Sequence, residues 1–407
     1  MTNIYNIKPK VFYAIGARVG GQGLSLVAQK AGEILSKKDM LDIFICYGYD
    51  KKYKIKKIIA NLKQVYFQPF KIFSFLPSRY YYTMKRIWMG QISSRLLKKS
   101  KAHIYHGWTH SSLNAIRIAK QKKMITIVER GNSHPLYTKE ILKKEYGVYK
   151  TQNYHDIKND TSIFKKYNLW RYEFNEALIE LSEADYIFVN SQFCAETYIK
   201  HGINRKKLIV IPRGFDSMKY LPRSKQTKNE KFILLFVGNL QVRKGIKYIL
   251  EAWKMANLKN SELWFVGEVG VEVSKIVNTY KHECLNIKFL GKIKDPSKIY
   301  RDASAFVFPS IDEGSAKVTY EAMASALPCI FTKNAGAIAD NESAIFVPPR
   351  SSKAIASSIK LLFDNVKLRN SMGKKARSYI KKYTWEFYQE NLIKAYKKIY
   401  TDYKQKK

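Results

Sequence analysis

Cysteine is scarce in this 407-residue chain: Cys46, Cys194, Cys284 and Cys329 stand far apart and form no C-x-x-C pair. That spacing argues against a disulfide framework or a zinc site, and a reducing cytosol is the natural compartment. Long apolar runs are lacking as well. No stretch of about 18 uninterrupted apolar residues occurs, so no transmembrane helix is expected. The first ten residues, MTNIYNIKPK, lack the charged-then-apolar order of a secretion signal. The expected location is cytoplasmic, with any membrane contact made from the inner surface. No internal repeat or low-complexity tract is present. The most informative shortage is of acid: 33 Asp and Glu stand against 73 Lys and Arg, a net charge of +40. Between Asp50 and Glu129 there is no acidic residue at all, but 18 Lys and Arg. A field of this sign attracts polyanions such as anionic lipid headgroups, nucleic acid or a phosphate-bearing substrate.

Apolar residues are plentiful. Hydrophobic residues make up 46% of the chain and aromatics 14%, enough to bury real cores, and the length suits two domains of roughly 200 residues each. Short apolar runs at 11–15, 41–47, 102–105, 125–128, 186–189 and 208–211 read as strands, separated by helical patterns. A polar, aperiodic stretch, PRSKQTKNE at 222–230, suits a linker. Beyond it the alternation restarts, with strands expected at 232–237, 263–266, 287–290, 305–308 and 329–332, and helices at 246–256 and 318–326. Strands alternating with helices predict parallel sheets covered on both faces, in two doubly wound α/β units. The assignment is 1–218 for the first domain and 219–383 for the second, followed by an amphipathic helix at 384–403.

Four constellations carry chemistry. In FPSIDEGSAKVTYEAMA (308–324), an apolar strand ends in a Pro-Ser turn and the chain then enters a helix. Ligands of open α/β sheets bind beyond the carboxyl ends of strands. Backbone N–H groups of Gly314, Ser315, Ala316 and Lys317 at a helix start suit a diphosphate. Glu313 and Glu321 flank that start, where carboxylates can accept hydrogen bonds from sugar and ribose hydroxyls. Taken alone, two glutamates eight residues apart are more often a solvated helix face. In VGNLQVRKG (237–245), Arg243 and Lys244 lie between a strand and a helix, where fixed cations would stabilise a departing diphosphate without a metal. The loop Gly20-Gly21-Gln22-Gly23 follows the first strand and permits a tight turn or close approach to a ligand. Finally, His106 and His110 follow the run at 102–105, and Glu129, Arg130 and His134 follow that at 125–128. A lone histidine is more often structural, and His110 is read so, while Glu129 and His134 are candidates for catalysis.

Together, the run 305–308, the Pro-Ser turn, Glu313-Gly314, EAMA (321–324), Leu327-Pro328 and Ala335-Gly336-Ala337 resemble the donor-site signature of glycosyltransferase family 4. ADYIFVNS (184–191), IPRGFD (211–216), 238–245, Phe289-Leu290-Gly291 and FVPP (346–349) look like further family landmarks in family order, so the resemblance covers nearly the whole chain. It implies the two-domain GT-B fold and retaining, metal-independent transfer from a nucleotide-sugar, with no cofactor. It assigns Arg243 and Lys244 to the diphosphate, Glu321 to the ribose, Glu313 to the sugar hydroxyls, and the backbone around Gly291 and Ile293 to the base. It also implies that the last helix crosses back to the first domain, which binds a glycan or lipid-linked acceptor. Asn239 stands where the family has a basic residue, Glu129 where it has a histidine, and Ser315-Ala316 where it has Phe-Gly. Rival readings are a nucleotide-sugar epimerase of the same fold and a non-catalytic basic module for lipid or nucleic acid. Nucleic acid is the less expected partner, and the sequence leaves the oligomeric state open. The stretches KKYKIKK (51–57), FQPFKIFSFLP (67–77) and RYYYTMKRIW (79–88) interleave cations with aromatics, a composition suited to an anionic membrane interface.

Overall fold

The computed structural model describes residues 8–49 except Gln22, Ile55, and residues 78–148, 169–223, 231–284 and 286–406. The basic, aromatic stretches at 51–54 and 67–77 and the linker residues 224–230 lie outside the described residues.

Two parallel sheets organise the chain. The first contains β1 (Val11–Ala14), β2 (Leu41–Ile45), β3 (Ile104–Trp108), β4 (Ile125–Glu129), β5 (Tyr186–Val189) and β6 (Leu208–Val210), in the spatial order β2-β1-β3-β4-β5-β6. The second contains β7 (Phe232–Val237), β8 (Ser261–Val266), β9 (Ile287–Phe289), β10 (Ala305–Phe308), β11 (Cys329–Phe331) and β12 (Ala344–Phe346), in the order β12-β11-β10-β7-β8-β9. The strands are near-continuous apolar runs because helices cover both faces. In each sheet the order reverses once, between β1 and β3 and between β7 and β10. Crevices at such reversals open at the carboxyl ends of the strands. The loops that follow β1, β3, β7 and β10 are therefore the ones the fold presents to a ligand.

The last helix, Trp385–Gln405, returns to the first sheet. Thr384 caps it, its Oγ1 accepting from the N–H of Phe387 at 3.2 Å. Tyr388, Leu392, Tyr396, Ile399 and Tyr400 repeat at helical spacing and are buried against Val11, Tyr13, Ile104, Ile125 and Ile127. The crossing is tight: a Cβ on Gly214 would lie 2.5 Å from the Cα of Trp385. The N–H of Phe215 donates to the carbonyl of Tyr383 at 2.9 Å.

The domains also meet directly. The helix Pro135–Val148 carries Tyr146 into the second domain's core. Its fully buried Glu145 accepts from Tyr248 Oη at 3.2 Å and pairs with Arg350. Asp312 accepts from Ser133 Oγ at 2.6 Å and from Thr138 Oγ1 at 2.9 Å. Ser191 Oγ caps the helix Gln192–Lys200 and donates to the carbonyl of Gly314 at 2.5 Å.

Two boundaries differ from expectation in ways that matter for the site. β3 starts later than the run at 102–105 and extends to Trp108, because its ladder with β4 continues to the pair Trp108–Glu129. Consequently His106 and Glu129 are strand residues rather than loop residues. Strand alternation puts both on the face that the last helix covers.

Candidate active site

The first sheet's glycine loop has positive φ at Gly20 (85°), Gly21 (134°) and Gly23 (60°), which explains glycine at each. Gly23 starts the helix Leu24–Lys37, its carbonyl accepting from the amides of Leu26 and Val27. The residues of this region that reach the interdomain cleft are Ile15, Gly16 and Leu24. The cleft measures about 350 Å³, and its lining also includes Trp108, Thr109, His110, Arg130 and Arg213 from the first domain and Glu313, Gly314 and Ser315 from the second. Gly314 stands so close to the opposite wall that a Cβ there would lie 1.7 Å from the carbonyl oxygen of Gly131. No larger residue fits without opening the domains.

Glu313 anchors the second domain's side. The loop after β7 closes in the turn Val242–Lys244 and passes through Gly245, whose φ of 74° and close approach to the carbonyl of Pro309 both require glycine. This brings Arg243 Nη1 to 2.6 Å from Glu313 Oε1 and 3.2 Å from the carbonyl of Asp312, and Lys244 Nζ into contact with the same Glu313 oxygen. The backbone is cross-tied: Ile311 N donates to the Arg243 carbonyl at 2.8 Å, and Glu313 N to the Asn334 carbonyl at 3.0 Å. Burial, followed by the charge of Arg243, pushes the Lys244 ammonium well below its ordinary range. The negative charge of Asp312 opposes both effects. The three side chains form a compact ionic cluster.

The helix Lys317–Ala324 starts beside this cluster. One of the amides expected to serve a diphosphate is committed elsewhere: Ala316 N donates to the Ala335 carbonyl at 3.2 Å, because the turn Lys333–Ala335 packs against it. Ser315 Oγ lies 2.8 Å from Tyr320 Oη. Glu321 is buried, accepting from Tyr220 Oη at 2.8 Å and Tyr300 Oη at 2.9 Å, with Lys317 Nζ 2.8 Å from Oε1. Gly291 has φ 66° and accepts from Gly267 N at 2.8 Å, while Ile293 packs against the second domain's core.

Among the first-domain candidates, the structure keeps Glu129 and His134 out of the cleft lining. Glu129 faces His106, 3.3 Å away, and His106 Nδ1 lies 2.5 Å from Tyr396 Oη on the last helix. The cause is the β4 ladder, which holds Glu129 as a strand residue on the helix-covered face. His134 precedes the helix Pro135–Val148, buried, its ring stacked on His201 at 4.7 Å and its N–H bonded to Thr197 Oγ1 at 3.0 Å. Conversely His110, read as structural, lines the cleft. Its backbone is left-handed (φ 73°), and its N–H donates to Glu180 Oε2 at 2.7 Å. Fully buried Glu180 also accepts from Ser112 N at 2.6 Å and Leu113 N at 3.1 Å, so it shapes the loop after β3. Burial outweighs these three N–H donors and raises the Glu180 carboxyl to about 8. Glu180 and Asp312 were not anticipated; only the Asp312-Glu313 adjacency offered a signal. Among the described residues, no group of three or more His, Cys, Asp or Glu is placed to hold a metal ion.

Two doubly wound domains that turn their strand ends toward a shared cleft define the GT-B architecture. The chain belongs to the glycosyltransferases of the family 4 type: residues 42–219 match Glycosyltransferase Family 4, and residues 219–379 match Glycosyl transferases group 1. Among curated relatives, it is 29% identical over 176 residues to the capsular polysaccharide biosynthesis glycosyltransferase CapM of Staphylococcus aureus, covering 41% of this chain and 46% of that one. It is 24% identical over 269 residues to the mannosylfructose-phosphate synthase of Agrobacterium fabrum, covering 58% and 59%. The chain thus spans about half the length of the curated relatives it matches. Its fold resembles a sucrose-phosphate synthase from Thermosynechococcus elongatus (TM-score 0.65, 17% identity, covering 97% of this chain and 100% of that one). It also resembles Anabaena HepE, solved in complex with UDP (TM-score 0.62, 13% identity, covering 95% and 99%).

The environment of His134 makes a pH prediction. Burial, then His201 and Arg130, lower its folded-state pKa from 6.5 to about 4. The folded state then binds fewer protons than the unfolded one between these values, so stability is full above pH 6.5 and is lost as pH falls toward 4. Thermal unfolding of His134→Gln should show a shallower loss across this window than the native chain, and equal slopes would contradict the assignment.

Proposed function

We propose that the chain is a retaining glycosyltransferase that moves a hexose-type sugar from a UDP- or GDP-sugar to a glycan or lipid-linked glycan acceptor, in the synthesis of a cell-surface polysaccharide or glycolipid. The observation that carries this reading is the Arg243–Lys244–Glu313 cluster at the start of the helix Lys317–Ala324. As the glycosidic bond breaks, negative charge builds on the departing diphosphate. Two preorganised cations, of which Lys244 is nearly buried and Arg243 partly exposed, stabilise that charge without a metal or cofactor. Glu313, displaced from its cations, accepts hydrogen bonds from the donor sugar's hydroxyls. Glu321 with its two tyrosine donors serves the ribose, and the backbone near Gly291 and Ile293 serves the base. Because the departing phosphate itself takes the acceptor proton in a front-face reaction, the first domain needs no strong base at the cleft. The UDP in the HepE structure and the polysaccharide role in the name of CapM favour this substrate class.

The expected location is the cytoplasmic membrane surface. Among the described residues no helix is long and apolar enough to cross a membrane. On the helix Ser78–Lys99, Tyr82 is 52% exposed, beside Lys85 with its cation over Tyr47 and Tyr81. Aromatics beside cations suit anionic headgroups.

Two experiments test these readings. In a thermal-shift panel of UDP-, GDP- and ADP-sugars, one nucleotide class present at 100 times its dissociation constant should stabilise the chain by about 2.7 kcal/mol. Slow hydrolysis of that donor without acceptor should fall on the order of 100-fold or more in Glu313→Ala. A panel with no stabilising nucleotide would refute the transferase reading. For the membrane, the chain should float with phosphatidylserine-containing liposomes and not with neutral ones, and absence of flotation at physiological salt would rule the surface out.

A further inference from the structure

The first domain's wall of the cleft is built from the ends of neighbouring strands, and it is strongly basic. His110 follows β3, Arg130 follows β4 and Arg213 follows β6, and all three line the cleft. Arg130 Nη1 lies 3.0 Å from His110 Nε2 and 3.4 Å from Thr109 Oγ1, and its Nε lies 3.4 Å from the Ser133 carbonyl. Arg213 reaches the cleft across Gly131, where a Cβ would lie 2.2 Å from Arg213 Nη2. Glycine at 131 is what leaves room for that guanidinium. The Nε of Arg213 is buried and has no hydrogen-bond partner among the described residues. Neither arginine pairs with a carboxylate among the described residues. Glu313 is the one carboxylate among the lining residues, and it is held by Arg243 and Lys244 from the other wall. Arg130 and Arg213 thus face a shared space, also lined by Arg86, without a carboxylate partner of their own among the described residues. Their planar forks match a carboxylate or a phosphate in a way that ammonium groups do not.

The donor's diphosphate has its own cations on the second domain. The geometry therefore points to a separate anion subsite: we propose that Arg130 and Arg213, with His110, bind an acidic group, a carboxylate or a phosphate monoester, carried by the acceptor. This rests on the transferase reading for the word acceptor, whereas the subsite itself rests on the arginines. Glu180 acts behind it as a positioning residue, through the backbone of His110.

Calorimetric titration of the full chain tests the proposal. With the stabilising nucleoside diphosphate at saturation, glucose 6-phosphate, glucuronate and glucose are compared. One of the two charged sugars, and thereby the source of the anion, should bind at least about tenfold more tightly than glucose, the range expected for charge-assisted hydrogen bonds. Arg130→Gln should remove most of that preference while changing nucleotide affinity little, and Arg130→Lys, which keeps the charge without the fork, should retain part of it. Equal binding of charged and neutral sugars would overturn the subsite. So would a loss of nucleotide affinity in Arg130→Gln matching the loss for the charged sugar, since the arginine would then serve the donor. If no nucleotide binds, the transferase reading alone fails. Inorganic phosphate titrated into the nucleotide-free chain then decides: binding that Arg130→Gln abolishes supports the subsite, and no binding ends it.

Discussion

Three charged side chains set the conditions for everything else at the cleft. Lys244 is nearly buried, and burial alone would favour its neutral form. The Glu313 carboxylate lies in contact with it and with Arg243. Removing either partner of such a cluster leaves an uncompensated buried charge, which is costly. In the proposed reaction an incoming diphosphate replaces this carboxylate at the two cations. The backbone ties from Ile311 to Arg243 and from Glu313 to Asn334 hold the three groups in register.

The domain arrangement serves the same end. The last helix and the Gly214–Trp385 crossing join the sheets at one side, and Asp312, Glu145 and the Gly314 carbonyl take hydrogen bonds across the cleft. Several of these bonds involve residues adjacent to Glu313. Asp312 and Gly314 flank Glu313 in the chain, so the contacts between the domains are made beside the ionic cluster.

Much of this was legible in the sequence. The strands at 186–189, 232–237 and 305–308 and the helix at 246–256 match the expected runs, since apolar segments bounded by Gly, Pro and charge have few other readings. The juxtaposition of Arg243, Lys244 and Glu313 followed from a resemblance that ordered the motifs along the chain. What escaped was whatever depends on strand register. A shift of two or three residues in β3 turned His106 from a loop residue into a core residue, and one further ladder pair moved the candidate Glu129 into the strand. Glu180 escaped because its partners are backbone amides nearly 70 residues away, which no local pattern encodes.

The most direct measurement of the central claim is a crystal structure of the chain with the nucleoside diphosphate that stabilises it. The account predicts the distal phosphate bonded to Lys244 and Arg243, with Glu313 released from both cations and turned toward the position of the sugar. A diphosphate bound away from these two residues, with the Glu313 pairs intact, would contradict it.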